Sequence, residues 1–491
     1  LTIRFDSYET VIGFECHVQL ATASKLFSKG PNLFGHQPNS LVDIVDAGLP
    51  GVLPSLNQKA VEFAIKLGLA LSCEIRRESV FSRKHYFYPD LPKGYQISQF
   101  DKPICENGVL KFVVDGEEKS IRIRRIHIEE DAGKNTHVDG ANFSFVDFNR
   151  AGTPLLEVVT EPDLRSAKEA MEAYKALRQL VTFLGICDGN MAQGSMRADA
   201  NVSVKKITAT ELGTRTETKN LNSFKFLGQA ITFEARRQIL ELESGREILQ
   251  ETRLWDSNDK ETRPMRSKEE AHDYRYFPDP DLLPLVIPDE LLASVKKNLP
   301  ELPYNKFVRY QKDLGLSEYD AQVLTSEHII SGYFEEAVAH HNSPKGIANW
   351  IINDVLRSSK DNIDEEGLTK DSLPIPAASI AELVKLIDSQ VISSNIAKGV
   401  YSVLENDPKQ SPAKIVEDNN WRVVNNTDEI NKIVDQVLQE NPDEVEKYHS
   451  GKTKILGFLM GQLMKLGKGK LDPKSANQLM LDGLERHKNH Q

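Results

Sequence analysis

Residues Ile121-Arg-Ile-Arg-Arg-Ile-His-Ile128 decide the fold class. Apolar and charged side chains alternate, as in a strand with one face in a core and the other in water. Asn201-Val-Ser-Val204 repeats the pattern. In Val11-Ile-Gly-Phe-Glu-Cys-His-Val-Gln-Leu20 the two-residue period places Glu15, His17 and Gln19 on one face. Helices lie between such strands. Ser166-Ala-Lys-Glu169 is a capping box, and Ala167, Met171, Tyr174, Leu177, Val181 and Leu184 follow at helical spacing. A second helix is predicted from Ser223 to about Glu243. Strands and helices do not alternate regularly, so the expected class is α+β with a large antiparallel sheet, not a doubly wound fold.

At 491 residues the chain can build several cores. Pro278-Asp-Pro-Asp-Leu-Leu-Pro284, followed by Pro288, marks a break near residue 290. From about residue 300 the pattern is helical, and Asn406-Asp-Pro-Lys-Gln-Ser-Pro412 marks a second break. The expected domains are 1–293, 294–406 and a small helical tail, 407–491. With 40% hydrophobic and 27% charged residues, and no apolar run long enough to span a bilayer, no membrane insertion is expected.

The net charge of -11 argues against a nucleic-acid binder with a uniformly basic surface. Residues 451–491 nevertheless carry eight Lys/Arg against three Asp/Glu, so any RNA contact is expected there. Cys16, Cys73, Cys105 and Cys187 form no CxxC pair, which argues against a disulfide scaffold and for a reducing compartment. The chain begins at Leu1, and a trimmed N-terminus is expected.

Two phosphate-binding motifs fail. Gly451-Lys-Thr453 resembles the end of a P-loop, but Glu446 stands where its first glycine belongs, and no GxGxxG occurs. A better candidate is spread over strands. Glu15 and His17 share a face, and Ile126-His-Ile-Glu-Glu-Asp-Ala-Gly-Lys134 adds a dense acidic cluster. Glu157 and Glu161 follow the turn Asn149-Arg-Ala-Gly-Thr-Pro154. Asp199, Asn201 and Ser203 share one face, and Arg215, Glu217 and Lys219 another. Carboxylates, an imidazole and a few cations on one surface suit a divalent cation and a triphosphate. Each face alone is also what a solvated strand shows, and spacing cannot bring five distant segments together.

These residues resemble the GatB/GatE family of tRNA-dependent amidotransferase subunits. The resemblance is carried by Val11–Leu20, Tyr86-Phe-Tyr-Pro-Asp-Leu-Pro-Lys-Gly-Tyr-Gln-Ile-Ser98, Ile126–Lys134 and Asp147-Phe-Asn-Arg-Ala-Gly-Thr-Pro-Leu-Leu-Glu157. Asp188-Gly-Asn-Met191, Lys219-Asn-Leu-Asn-Ser-Phe224, Gln250-Glu-Thr-Arg-Leu-Trp255 and Met265–Pro278 extend it, and Gly457–Lys465 and Gly467–Lys470 carry it into the tail. It implies a glutamine-synthetase-like catalytic cradle, a helical domain and a YqeY-like, tRNA-binding tail. It also implies a ligase that phosphorylates the side-chain carboxylate of glutamyl-tRNA(Gln) with ATP and amidates it. Ammonia would come from a partner amidase (A) subunit, and a small third subunit would join that partner to this chain.

The resemblance implies that His17, Glu130 and Glu157 hold a resident Mg²⁺, with Glu15 beside them, and that Asp199 and Glu217 hold a second Mg²⁺ arriving with ATP. It implies phosphate or carboxylate contacts by Lys84, Lys93, Arg150 and Lys219. Lys452, Lys454, Lys465, Lys468 and Lys470 are the expected tRNA contacts. Many bacterial relatives carry two zinc-binding cysteine pairs in the segment matching Phe27–Pro50. None stands here, so no zinc is expected. That loss suggests a mitochondrial matrix form, with a bacterial-type or other organellar compartment as the alternative. An adaptor that only binds tRNA is the main rival; it would keep the basic tail but has no need of the six acidic and imidazole residues.

Overall fold

The alternation at Ile121 continues through the strand Glu117–Glu130. Ile121 and Ile123 enter the core, as do Ile126 and Ile128, with the doubled arginine Arg124-Arg125 between the two pairs. The register with the neighbouring strand Pro154–Thr160 slips at that point. The extra residue is a bulge that restores the inward face. The computed structural model describes all residues except 1–4, 138–139, 141, 267–273, 360–371, 374, 424–426, 468–470, 472 and 489–491.

Among the described residues the largest sheet has nine strands. From edge to edge they are Glu261–Arg266, Thr252–Asp256, Thr216–Leu221, Met196–Lys206, Tyr8–Gln19, Pro154–Thr160, Glu117–Glu130, Cys105–Val114 and Glu74–Ile75. Neighbours are antiparallel, as expected, with one exception: Thr216–Leu221 runs parallel to Thr252–Asp256. The helix Phe224–Glu243 connects these two, and a parallel pair requires such a crossover. That helix starts at Ser223, whose hydroxyl accepts from Phe226 N, and Ser166 caps Ala167–Phe183 in the same way. Here Glu169 reaches back to the amide of Arg165, one residue before the cap.

One face of the sheet carries the core. Phe14, Cys16, Val18, Ile126, Ile128, Leu156 and Val158 pack there with Tyr174, Leu177 and Val181 of one helix and Leu227 and Ile231 of the next. The other face is polar, and the candidate site lies on it.

The first compact unit is Leu1–Lys306, longer than the expected 1–293. Val295, Leu299 and Leu302 pack on its core, which holds this stretch there and not in the helical part. The second unit, Phe307–Gln491, is helical and contains two apolar clusters. The first cluster includes Ile415 and Val416, so the break at Asn406–Pro412 is a turn between packed helices. The other begins at Ile430. In the tail, Leu459 and Leu463 are buried and Leu466 is exposed.

The segment without cysteines is tied down by Lys25 and Asp46, a fully buried ion pair at 3.1 Å with Ser28 donating to the same carboxylate. A larger buried network sits beneath the parallel strand pair. Glu234 accepts from Thr216 at 2.8 Å, Thr262 at 2.8 Å and Arg237 at 3.0 Å, and pairs with Arg253 at 3.4 Å. It thereby joins three strands to one helix. Burial opposes its charge, but Arg237 and the two hydroxyls hold its pKa below the usual value. Glu234→Ala removes the buried carboxylate that accepts from Arg237 and from the Thr216 and Thr262 hydroxyls, an expected cost of about 3–5 kcal/mol. Amide hydrogen exchange should show Thr216–Leu221 and Glu261–Arg266 losing protection. A depressed carboxyl contributes fully above its unfolded pKa, and this stability is lost as pH falls through the folded value. The parent's protection should therefore fall in acid, and the variant's should change less there.

Candidate functional site

The polar face is built by strand register. His17 stands opposite both Glu157 and Arg197, Glu15 opposite Asp199, and Glu157 opposite His127. Directly paired residues share a face, so four strands deliver their polar side chains to one surface. His17 Nε2 lies 3.4 Å from Glu129 Oε1 and 3.7 Å from Glu157 Oε2. His127 Nε2 lies 2.9 Å from Glu157 Oε2 and 3.5 Å from Glu129 Oε2. The Ser98 hydroxyl donates to Glu129 at 3.1 Å.

The resemblance implied Glu130 beside His17 and Glu157; the glutamate that stands there is Glu129. Alternation along Glu117–Glu130 turns His127 and Glu129 to the polar face and Glu130 to the face of Ile126 and Ile128. Glu130 is buried there against the Lys93 ammonium and accepts from Ile97 N at 2.9 Å. Lys93 is therefore the structural partner of Glu130, not a contact on the polar face.

Glu129, His127 and Asp131 were missed. The signal was present, because Ile126 and Ile128 fix which neighbours point away from the core. Asp131 closes one side of the site. It accepts from Arg197 at 2.8 Å and Gln19 at 3.1 Å, and lies 3.5 Å from Arg150. Arg150 also donates to the Ala132 and Gly133 carbonyls, which commits most of its guanidinium to this turn.

On the other side Lys219 lies between Asp199 at 2.7 Å and Glu217 at 2.8 Å. Thr252 also donates to Glu217, and Asn201 donates to Glu15 at 3.2 Å. An ammonium already fills the space between Asp199 and Glu217. The pair does not present an open donor set for a second ion.

The electrostatics divide the face. Burial works against protonating His127, but Glu157 and Glu129 outweigh it and push its pKa up to about 9. Burial would raise Glu157, yet His127 brings it down to about 2. Glu129 is likewise held well below the usual range by His127 and His17. Glu15 is raised, first by burial and then by Glu157 and Glu217. Lys84 stands over the same face with its ammonium 4.9 Å from the Tyr274 ring. Burial tends to lower it, but Glu129, the Tyr276 hydroxyl and Glu157 keep its pKa above the ordinary lysine value.

One group of donors fits a divalent cation. One ligand atom each from His17, Glu129 and Glu157 lie within 4.8 Å of one another. Two carboxylate oxygens suit a hard ion, with the imidazole as third ligand and His127 orienting Glu157. A cation would displace the His17 proton and relieve the carboxylate crowding around Glu15.

The chain matches the GatB/GatE catalytic domain over residues 10–293 and the GatB domain over residues 332–484. The chain belongs to the GatB/GatE family. Curated relatives span almost its whole length. A protein of Geotalea daltonii is 52% identical over 97% of this chain and 99% of its own. One of Geobacter sulfurreducens is 50% identical over 98% of this chain and 100% of its own. One of Thermodesulfovibrio yellowstonii is 49% identical over 96% and 98%. All three are named as the B subunit of an aspartyl/glutamyl-tRNA(Asn/Gln) amidotransferase. These relatives are bacterial and lend the mitochondrial expectation no support. Among the described residues no helix is long and apolar enough to cross a membrane. In this GatB/GatE chain the tail lysines Lys452, Lys454 and Lys465 are exposed, whereas Lys468 and Lys470 lie outside the described residues.

Proposed function

We propose that this chain is the subunit that activates the side-chain carboxylate of glutamyl-tRNA(Gln) with ATP and passes it to ammonia. The observation that carries this reading is the convergence of His17, Glu129, Glu157 and Lys84 on one face. A carboxylate oxygen attacks the γ-phosphorus, and the bond to the ADP oxygen breaks. Ammonia then attacks the acyl carbon, phosphate leaves, and the nitrogen loses a proton to give the amide.

The demands on the protein are positioning and charge neutralisation. Mg²⁺ held by His17, Glu129 and Glu157 would supply neutralisation of the phosphoryl oxygens. Lys84 neutralises charge developing between carboxylate and phosphate, while His127 orients Glu157. Arg197, held by Asp131, borders the site as a second cation. Glutamine hydrolysis belongs to a partner amidase subunit, with a small third subunit joining the two. The exposed tail lysines contact tRNA phosphates.

The double name of the relatives favours aspartyl-tRNA(Asn) as a second substrate of the same site. The two side chains differ by one methylene, which a binding pocket discriminates by only about 1–3 kcal/mol.

The test uses the complex with its partner subunits, glutamyl-tRNA(Gln) and γ-labelled ATP. Labelled phosphate should appear in step with glutaminyl-tRNA. Lys84→Met should lower both rates by about 100-fold or more while tRNA binding is kept. A parent complex that binds charged tRNA but neither cleaves ATP nor forms the amide would be a tRNA-presenting scaffold.

A further inference from the structure

Tyr276 and Phe277 are consecutive, and their rings enter two different stacks. Tyr276 stacks on Phe100 with centroids 4.1 Å apart and planes 7° apart. Phe277 stacks on His85 at 5.0 Å and 23°. Tyr274 lies near-perpendicular to Tyr276, 6.1 Å away, and to Tyr86, 6.4 Å away. Because the Lys84 ammonium sits over Tyr274, this row of rings begins at the polar face and runs outward to Phe100. Phe100 is 49% exposed and Phe277 44%. Phe100, Phe277 and His85 have no part in the chemistry above, and the row joins two segments far apart in the sequence.

We propose that Phe100 and Tyr276 form a stacking platform for an unpaired base at the single-stranded 3′ end of the charged tRNA. This rests on the proposed function, since the glutamate to be phosphorylated is esterified to the ribose at that end. The terminal bases must then lie beside the face that carries His17, Glu129 and Glu157.

Openness separates RNA from the adenine of ATP as the occupant. Small-molecule sites enclose about 70–90% of their ligand. A phenylalanine half in water is no such enclosure, whereas single-stranded RNA ends stack on exposed aromatic side chains. Arg275, exposed between Tyr274 and Tyr276, adds a cation beside the rings, where a phosphate linkage would run.

The experiment uses the complex with its partner subunits, and the parent must first form glutaminyl-tRNA. If it does not, the proposed function fails and the platform has no substrate. In Phe100→Leu the apparent KM for glutamyl-tRNA(Gln) should rise about tenfold, with the KM for ATP and the melting temperature unchanged. Phe100→Trp should restore it.

Binding of uncharged tRNA supplies a second readout. Trimming its single-stranded 3′ nucleotides should weaken binding to the parent about tenfold more than binding to Phe100→Leu. A KM shift for ATP in place of tRNA would assign the rings to the nucleotide and overturn the proposal. An unchanged tRNA KM, or equal losses on trimming in both proteins, would overturn it as well.

Discussion

Glu129→Gln is expected to lower both ATP cleavage and glutaminyl-tRNA formation by about 100-fold or more. The side chain keeps its length and its Ser98 contact but loses its charge. Glu129 Oε1 lies 3.4 Å from His17 Nε2, on the edge of the three-donor group. Without it, Glu157 is the sole carboxylate of that group and is already engaged by His127 at 2.9 Å. Saturating charged tRNA should not rescue the rate, because the loss falls on phosphoryl transfer and not on RNA binding. Single-turnover rates at saturating tRNA are the appropriate check. A variant within about threefold of the parent would remove Glu129 from the account.

Glu130→Gln should behave in the opposite way. Its carboxylate faces the core side and is paired with Lys93, whose side chain is only 9% exposed. Glutamine can still accept from Ile97 N, but it leaves the ammonium buried with little beyond the Tyr95 ring 5.5 Å away. Loss of one partner of a buried pair costs about 3–5 kcal/mol. The denaturation midpoint of the variant should therefore fall, while turnover per folded molecule stays within about threefold of the parent. Adding Lys93→Met should recover part of the stability, since the stranded charge is then gone. Full stability with abolished turnover in Glu130→Gln would reverse the assignment of the two faces.

The contrast between these adjacent residues shows how much of the site was legible in the sequence. The alternation in Ile121–Ile128 announced the strand, and Glu15, His17 and Gln19 were placed on one face from the period alone. The same period, counted on from Ile126 and Ile128, assigns Glu129 and Asp131 to the polar face and Glu130 to the core. The resemblance placed the role on Glu130, whereas the glutamate that stands with His17 and Glu157 is its neighbour Glu129. His127 lies within the acidic segment Ile126–Lys134 but was given no role of its own. It orients Glu157 only because Pro154–Thr160 happens to be the neighbouring strand.

Other features could not be read from spacing. Lys219 lies between Asp199 and Glu217 because its strand pairs with Met196–Lys206 through a shift in register at Ala198–Ala200. Nothing in the spacing of the helix Phe224–Glu243 marks out Glu234. It is fully buried because three strands of that edge turn hydroxyl and guanidinium groups toward it. The helix itself was plain from its Ser223 cap. The parallel strand that follows was not, since Thr252–Asp256 is short and its sequence, Thr-Arg-Leu-Trp-Asp, does not alternate. The resemblance implied phosphate or carboxylate contacts by Lys93 and Arg150, and both are engaged by neighbouring protein groups.

On this reading His17, Glu129 and Glu157, and not Glu130, form the cation-holding face. Calorimetric titration of Mg²⁺ into the complex, without ATP or tRNA, tests it most directly. Parent and Glu130→Gln should each bind one ion per complex with closely similar affinity, and Glu129→Gln should lose at least tenfold. Undiminished binding in Glu129→Gln together with loss in Glu130→Gln would contradict the account.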